Sequence, residues 1–80
     1  MVDTIFYLSG QAGGAIPNGT RVVKVVSEEG DRHGIGSLGI VVSSHGPIPF
    51  RGKSEYGYFI LWDDMPTVPI LTVGFKLEQL

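Results

Sequence analysis

Glycine and proline interrupt this chain so often that a long amphipathic helix does not fit anywhere in it. Twelve glycines and five prolines occur in 80 residues. No window of about eleven residues keeps a helical apolar period without meeting one of them. Glycine permits positive φ and proline fixes φ, so both residues favour turns between short strands. The sequence therefore predicts an all-β domain with many tight turns.

The stretch Tyr56–Asp64 is the strongest strand signal, because it combines the only tryptophan with aromatic and β-branched residues. Alternation along a strand places Tyr58, Ile60 and Trp62 on one face and Phe59 and Leu61 on the other. Both faces are apolar, and a strand with one face in water would not have this pattern. We therefore predict a central strand with Ile60 and Trp62 in the core and a cover over its second face.

Further runs of strand-forming residues alternate with polar, glycine-rich stretches. The predicted strands are 3–8, 21–26, 38–43 and 68–73, and residues 75–80 are predicted as one 3₁₀ turn or a last short strand. Pro69 lies inside the run 68–73 and indicates an edge strand or a late start, since proline cannot donate to a ladder. The stretches 27–36 and 45–55 are predicted as long loops.

Size, charge and cysteine content limit the class of protein. Eighty residues make one domain near the lower limit for an unstapled core, and cysteine is absent. The formal charge of −2 argues against non-specific duplex binding but leaves a local basic patch open. Neither a signal-peptide pattern nor a long apolar run is present, so we expect a soluble cytoplasmic protein with no membrane association.

The motifs that could carry chemistry are weak. The run Gly34–Gly39 matches a dinucleotide fingerprint, but strand-forming residues follow it where a helix is required, so a tight turn is the better interpretation. Ser43-Ser44-His45 has no third partner for a triad. Five residues could on paper form a metal or acid–base site: His33, His45, Asp31, Asp63 and Asp64. Their sequence spacing is not that of metal ligands, so we interpret them as solvated loop residues. We expect no catalytic residue, no cofactor and no metal.

Two aromatic stretches have a structural and a functional interpretation. Trp62 with the carboxylates after it is read as a core tryptophan followed by turn residues. The alternative is an aromatic pocket for a cationic side chain, formed by Tyr56, Tyr58 and Trp62. Separately, Phe50-Arg51-Gly52-Lys53 combines an aromatic ring with two cations and is the only stretch that resembles a nucleic-acid contact.

From Gly19 onward the order and spacing of several motifs resemble a known small barrel. These motifs are Gly19-Thr20-Arg21-Val22-Val23-Lys24, Asp31, Gly34-Ile35-Gly36-Ser37-Leu38-Gly39-Ile40-Val41, Leu61-Trp62-Asp63 and Val73-Gly74. The pattern is similar to the Mind-bomb-type (Mib) module, an SH3-like barrel of ubiquitin ligases, and more loosely to KOW and Tudor-type barrels.

The resemblance implies a fold and a general class of function. It implies an SH3-like β-barrel of about five strands over residues 19–80. Residues 1–18 lie outside the resemblance, and we predict that they form an N-terminal strand and a flexible loop added to the barrel. Mib modules bind protein tails, and KOW and Tudor relatives bind RNA, ribosomal proteins or methylated side chains. The matched positions are structural, so the resemblance assigns no binding residue.

We accordingly predict a non-catalytic protein- or peptide-binding module and not an enzyme. Loops on a rigid scaffold carry most recognition, so we expect contacts from the stretches 28–36 and 45–55 and from Tyr56. Phe50, Arg51 and Tyr56 are the predicted binding residues. The alternatives are an RNA- or ribosome-associated module using Arg51 and Lys53 with Arg21 or Arg32, and a small accessory subunit of an enzyme complex.

The second face of the central strand needs a cover in this interpretation. Residues 3–8 are β-prone, and we predict that they pair with the sheet and shield Phe59 and Leu61. The pairing occurs within one chain or by exchange with a second copy, so a homodimer through this strand or this face remains open.

Overall fold

Five strands of the part of the chain that the structure describes form one antiparallel sheet. The structure is a computed structural model, and it describes residues 10–80. The elements in chain order are β1 (Arg21–Lys24), β2 (Leu38–Phe50), β3 (Lys53–Trp62), β4 (Met65–Val73), a 3₁₀ helix (Gly74–Lys76) and β5 (Leu77–Gln79). The predicted strand 3–8 and its cover over Phe59 and Leu61 lie outside the described residues. The all-β prediction with about five strands is confirmed.

The sheet in residues 10–80 is open, and the predicted closure into an SH3-like barrel is not found there. Its strand order is β4-β3-β2-β1-β5, so β4 and β5 are the two edges among the described strands. Among the described strands β4 pairs only with β3, which agrees with the edge position predicted from Pro69. Pro66 and Pro69 lack an N–H and weaken β4 as a donor for further pairing.

The predicted loop 45–55 is wrong, because this stretch belongs to a long hairpin. β2 continues to Phe50, and Phe50 pairs with Lys53 at the start of β3. The turn residues Arg51 and Gly52 have φ values of 52° and 79°, as a two-residue hairpin turn of type I′ requires. Gly46 and the prolines near it, which indicated a loop, are instead accommodated at a register shift between His45 and Ile48.

One side of the sheet carries the core. Its buried apolar side chains come from four strands and are Val22, Val41, Tyr58, Ile60, Trp62 and Leu77. The predicted inward orientation of Ile60 and Trp62 is confirmed, with 0% and 1% of each residue exposed. Tyr58 joins them on the same face, as strand alternation requires.

The close approach of β2 to β3 depends on Gly39. A Cβ at this position would lie 2.6 Å from Ile60 Cγ2 and 2.9 Å from the carbonyl oxygen of Leu61. Gly36, three residues earlier, has a φ of 95° in the turn that leads into β2. The glycine run therefore makes a tight turn and a close strand contact, as predicted, and a strand follows it rather than a helix.

Residues 10–18 are bound to the sheet. The amide of Ser44 donates to the carbonyl of Gly10 over 2.9 Å, and the amide of Ile16 donates to the hydroxyl of Tyr58 over 2.9 Å. Ala15 and Ile16 also pack against the core. This stretch therefore supplies contacts to buried strand residues.

Tyr58→Phe is expected to lower the free energy of unfolding by about 1 kcal/mol, because the amide of Ile16 loses a part-buried acceptor. Chemical denaturation measures the change. Tyr56→Phe is the control, since its hydroxyl donates to a solvent-exposed carbonyl, that of Gly13, and water can replace that bond. An equal fall in the free energy of unfolding in the two variants would show that the Tyr58 hydroxyl contributes no more than the exposed Tyr56 hydroxyl.

The opposite face of the sheet is also apolar. Phe59 and Leu61 are half-buried, and Leu71, which pairs with Phe59 across the strands, is 58% exposed. The ring of His45 meets the ring of Phe59 edge-on at 5.5 Å between centroids. His45 thus lies in β2 and is half-buried, which corrects its interpretation as a solvated loop residue.

Candidate functional site

A groove lined by two phenylalanines lies beside the tip of the β2–β3 hairpin. The rings of Phe50 and Phe75 are 6.0 Å apart between centroids and tilted by 32°. Both residues are half-buried, so each ring keeps some contact with solvent. The groove has a volume of about 210 Å³ and is lined by Phe50, Arg51, Lys53, Glu55 and Phe75. We call it the aromatic groove.

Phe75 is the groove residue that sequence reasoning missed. It lies in the 3₁₀ helix between β4 and β5, 25 positions from Phe50 in the sequence. A Cβ at Gly74 would lie 3.0 Å from Tyr58 Cε2 and 3.3 Å from the carbonyl oxygen of Tyr56. Glycine therefore lets this helix approach β3 closely and so positions Phe75. An aromatic residue directly after a strand-ending glycine was the only sequence signal.

Arg51 lies over both rings of the groove. Its guanidinium carbon is 4.9 Å from the Phe50 ring centroid and 5.9 Å from that of Phe75. Two of its nitrogens donate to the carboxylate of Glu28, over 2.6 and 3.1 Å. This hydrogen bonding raises the pKa of Arg51 and lowers the pKa of Glu28. Because 61% of the Arg51 side chain is still exposed, the cation is accessible from the groove.

The backbone of Arg51 has a conformation that arginine rarely adopts. Its φ of 52° makes it the one non-glycine residue with positive φ in the described part of the chain. Asparagine, aspartate and glycine are the residues that favour this conformation in a type I′ turn. Non-glycine residues held in such conformations cluster at functional sites.

A cluster of ion pairs connects the turn at residues 28–31 to Lys24 and Lys76. Lys76 Nζ contacts both carboxylate oxygens of Asp31 at 2.8 and 2.9 Å, and it lies 3.3 Å from Glu28. Lys24 Nζ, which is almost fully buried, lies 3.3 Å from Asp31. The hydrogen bond from Lys76 is the main cause that holds the pKa of Asp31 far below its usual range, with the backbone amide of Glu28 next.

The protein is expected to lose stability as the pH falls below about 4. The pKa values of Asp31 and Glu28 are lowered in the folded state. Their stabilising contribution is therefore complete above the unfolded-state pKa of about 4 and is lost as the pH falls through the lower folded values. Thermal melts between pH 7 and pH 2 measure this loss. Asp31→Asn should flatten the acid limb, and an equally steep limb in that variant would exclude Asp31 as its source.

The third predicted binding residue, Tyr56, does not line the aromatic groove. Its hydroxyl donates to the carbonyl of Gly13 over 2.7 Å, and its ring is 6.3 Å from that of Tyr58. The structure therefore brings Phe50 and Arg51 together but directs Tyr56 towards residues 10–16. The stretches 28–36 and 45–55 do meet, through the Arg51–Glu28 pair.

His33 and Asp31 are packed rather than solvated, which corrects the sequence interpretation. His33 is only 6% exposed and stacks on Trp62 at 4.8 Å between centroids. Its Nε2 lies 2.8 Å from Asp64 Oδ1. Lys24 Nζ lies 5.8 Å from the Trp62 ring. Trp62 is thus a core residue, as predicted, and its cationic neighbour belongs to this chain.

Within residues 10–80, two of the four basic residues proposed for RNA contact are paired with carboxylates. Arg21 binds Asp63 through two hydrogen bonds of 2.8 Å, and Arg51 binds Glu28. No group of three His, Cys, Asp or Glu side chains in this part of the chain is placed to hold a metal ion. The same residues contain no helix long and apolar enough to cross a membrane.

No protein-family model, no curated protein and no solved structure matches this chain. The resemblance to the Mib module, and the looser one to KOW and Tudor barrels, therefore rests on the quoted sequence motifs alone.

Proposed function

We propose that this protein is a non-catalytic module that binds a short extended peptide in the aromatic groove. The observation that carries the proposal is the Phe50–Phe75 pair with Arg51 over both rings. The two rings lie next to each other and form an apolar surface on which an aliphatic or proline side chain can pack, as on aromatic-lined grooves in peptide-binding domains. Arg51 and Lys53 supply donors at the rim of the same groove.

The position of the groove supports recognition rather than folding. It lies at a hairpin tip and a 3₁₀ helix, outside the cluster of fully buried core residues. Aromatic and arginine side chains are the types that dominate binding energy at interfaces. A nucleic-acid partner is less well supported, because Glu28 and Glu55 place negative charge beside the same cations.

A peptide-display selection tests the proposal. Random dodecapeptides are selected on the immobilised wild-type protein, and the enriched peptides are then measured against Phe75→Ala. We expect most enriched peptides to lose at least tenfold in affinity, since removing a central aromatic anchor costs 1.4 kcal/mol or more, about tenfold in affinity. Leu71→Ala is the matched control, because Leu71 is an exposed apolar residue on the outer face of the sheet.

Arg51→Asn separates binding from folding. Asparagine suits the positive φ at this turn, so the variant is expected to keep its melting temperature within a few degrees while peptide affinity falls. Peptides that bind Phe75→Ala and Arg51→Asn as tightly as wild type, but lose affinity for Leu71→Ala, would move the site to the outer face and refute the proposal.

A further inference from the structure

The Arg51–Glu28 contact has the geometry of a bound ligand carboxylate. Glu28 presents both oxygens to the guanidinium, at 2.6 and 3.1 Å, from a separate stretch of chain. Planar two-point pairing of this kind is how arginine recognises carboxylates in partners. The pair is exposed on the arginine side, so the contact lies at the rim of the aromatic groove and not in the core.

The hydrogen bonds that close the turn at residues 28–31 do not use the Glu28 carboxylate. The turn 28–31 is closed by its own bonds, with the amide of Asp31 donating to the carbonyl of Glu28 and the amide of Glu28 donating to Asp31 Oδ2, each over 2.9 Å. Lys76 is closer to Asp31, at 2.8 Å, than to Glu28, at 3.3 Å. Moving the Glu28 carboxylate off Arg51 therefore leaves both the turn and Lys76 with partners.

A second cation of the groove carries no ion pair to a described residue. Lys53 is exposed, lines the groove and starts β3 directly across the hairpin from Phe50. Once the Glu28 carboxylate has moved away from Arg51, the groove lining has two cations, Arg51 and Lys53, and one carboxylate, Glu55. The groove then favours an anionic group beside an apolar one.

We propose that the aromatic groove selects peptides in which an aspartate or glutamate lies within a few positions of an aliphatic or proline residue, and that Glu28 is a built-in competitor for the peptide carboxylate. The inference rests on the peptide-binding function proposed above. In the free protein the Glu28 carboxylate is paired with Arg51. In the complex the peptide carboxylate bridges Arg51 and Lys53 while the apolar residue packs on the two rings.

The same display selection supplies the probe, a fluorescein-labelled copy of the most enriched acidic dodecapeptide, with a second copy in which Asn or Gln replaces each acidic residue. We expect Glu28→Gln to bind the acidic peptide about two- to fivefold more tightly than wild type, the range that removal of an exposed competing ion pair gives. Affinity for the neutral copy should be weaker and unaffected by this substitution.

Lys53→Gln is expected to lower the affinity for the acidic peptide and to leave the affinity for the neutral copy unchanged. Raising the salt concentration should likewise reduce only the affinity for the acidic peptide. Selected peptides that depend on Phe75 but lack acidic residues, or a Glu28→Gln variant that binds the acidic peptide no better, would overturn the inference and leave the groove assignment intact. A selection that yields no peptide dependent on Phe75 overturns both.

Discussion

Replacing Trp62 with alanine is expected to unfold the domain or come close to it. The side chain is 1% exposed, is stacked on His33 and lies beside the buried ammonium of Lys24. Truncating a core aromatic residue typically costs ~3–5 kcal/mol, and a domain of this size has about that much stability in total. Far-UV circular dichroism during a thermal melt measures the loss.

The control for Trp62→Ala is Leu71→Ala, which truncates an apolar side chain that is 58% exposed on an edge strand. Exposed substitutions of this kind usually change stability by about 0.5 kcal/mol or less. A Trp62→Ala protein that melts within a few degrees of the parent would show that the tryptophan is not a core residue.

Gly39→Ala is the second substitution with a large expected effect. The added methyl group would lie 2.6 Å from Ile60 Cγ2 and 2.9 Å from a backbone oxygen of β3. Ile60 is fully buried and the oxygen belongs to a central strand, so neither can move without disturbing the sheet. We expect a loss of ~1–3 kcal/mol, as for other overpacked sites, measured by chemical denaturation.

Gly34→Ala is the matched control within the same glycine run. A Cβ at Gly34 would meet no atom within 4 Å, and its φ is not positive. The substitution is expected to be neutral or slightly stabilising, because alanine restricts the unfolded chain more than glycine does. Equal losses at the two positions would mean that close strand packing at Gly39 is not the cause.

The central strand was predictable because its signal is local. Residues of strong β propensity alternate from Tyr58 to Trp62, and the buried face follows directly from that alternation. The edge position of β4 was likewise predictable from Pro69. In both cases the residues that determine the structure lie within a few positions of one another.

The errors arose where distant residues decide the structure. The glycine and prolines after His45 indicated a loop, yet pairing with β3 keeps this stretch in the sheet through a register shift. His33 was interpreted as solvated because its sequence neighbours are polar, whereas Trp62, 29 positions away, stacks on it. Propensity cannot anticipate such tertiary contacts.

The sequence predicted two residues of the candidate site, because they are neighbours in the chain. Phe50 and Arg51 are close together in sequence, and their combination already indicated a contact surface. Phe75 and Glu28 come from other parts of the chain, and only the fold places them beside Arg51. Their contribution depends on the close approach of the 3₁₀ helix at Gly74 and on the turn at Asp31, neither of which has a sequence pattern of its own.

The central claim is that the aromatic groove binds peptides, and an NMR titration tests it most directly. Amide chemical shifts of the ¹⁵N-labelled protein are followed while the enriched acidic dodecapeptide is added. We expect saturable shift changes that concentrate on Glu28, as it leaves Arg51, and on the groove residues Phe50, Arg51, Lys53, Glu55 and Phe75. Shifts concentrated instead on β4 and Leu71, with the groove residues unmoved, would contradict it.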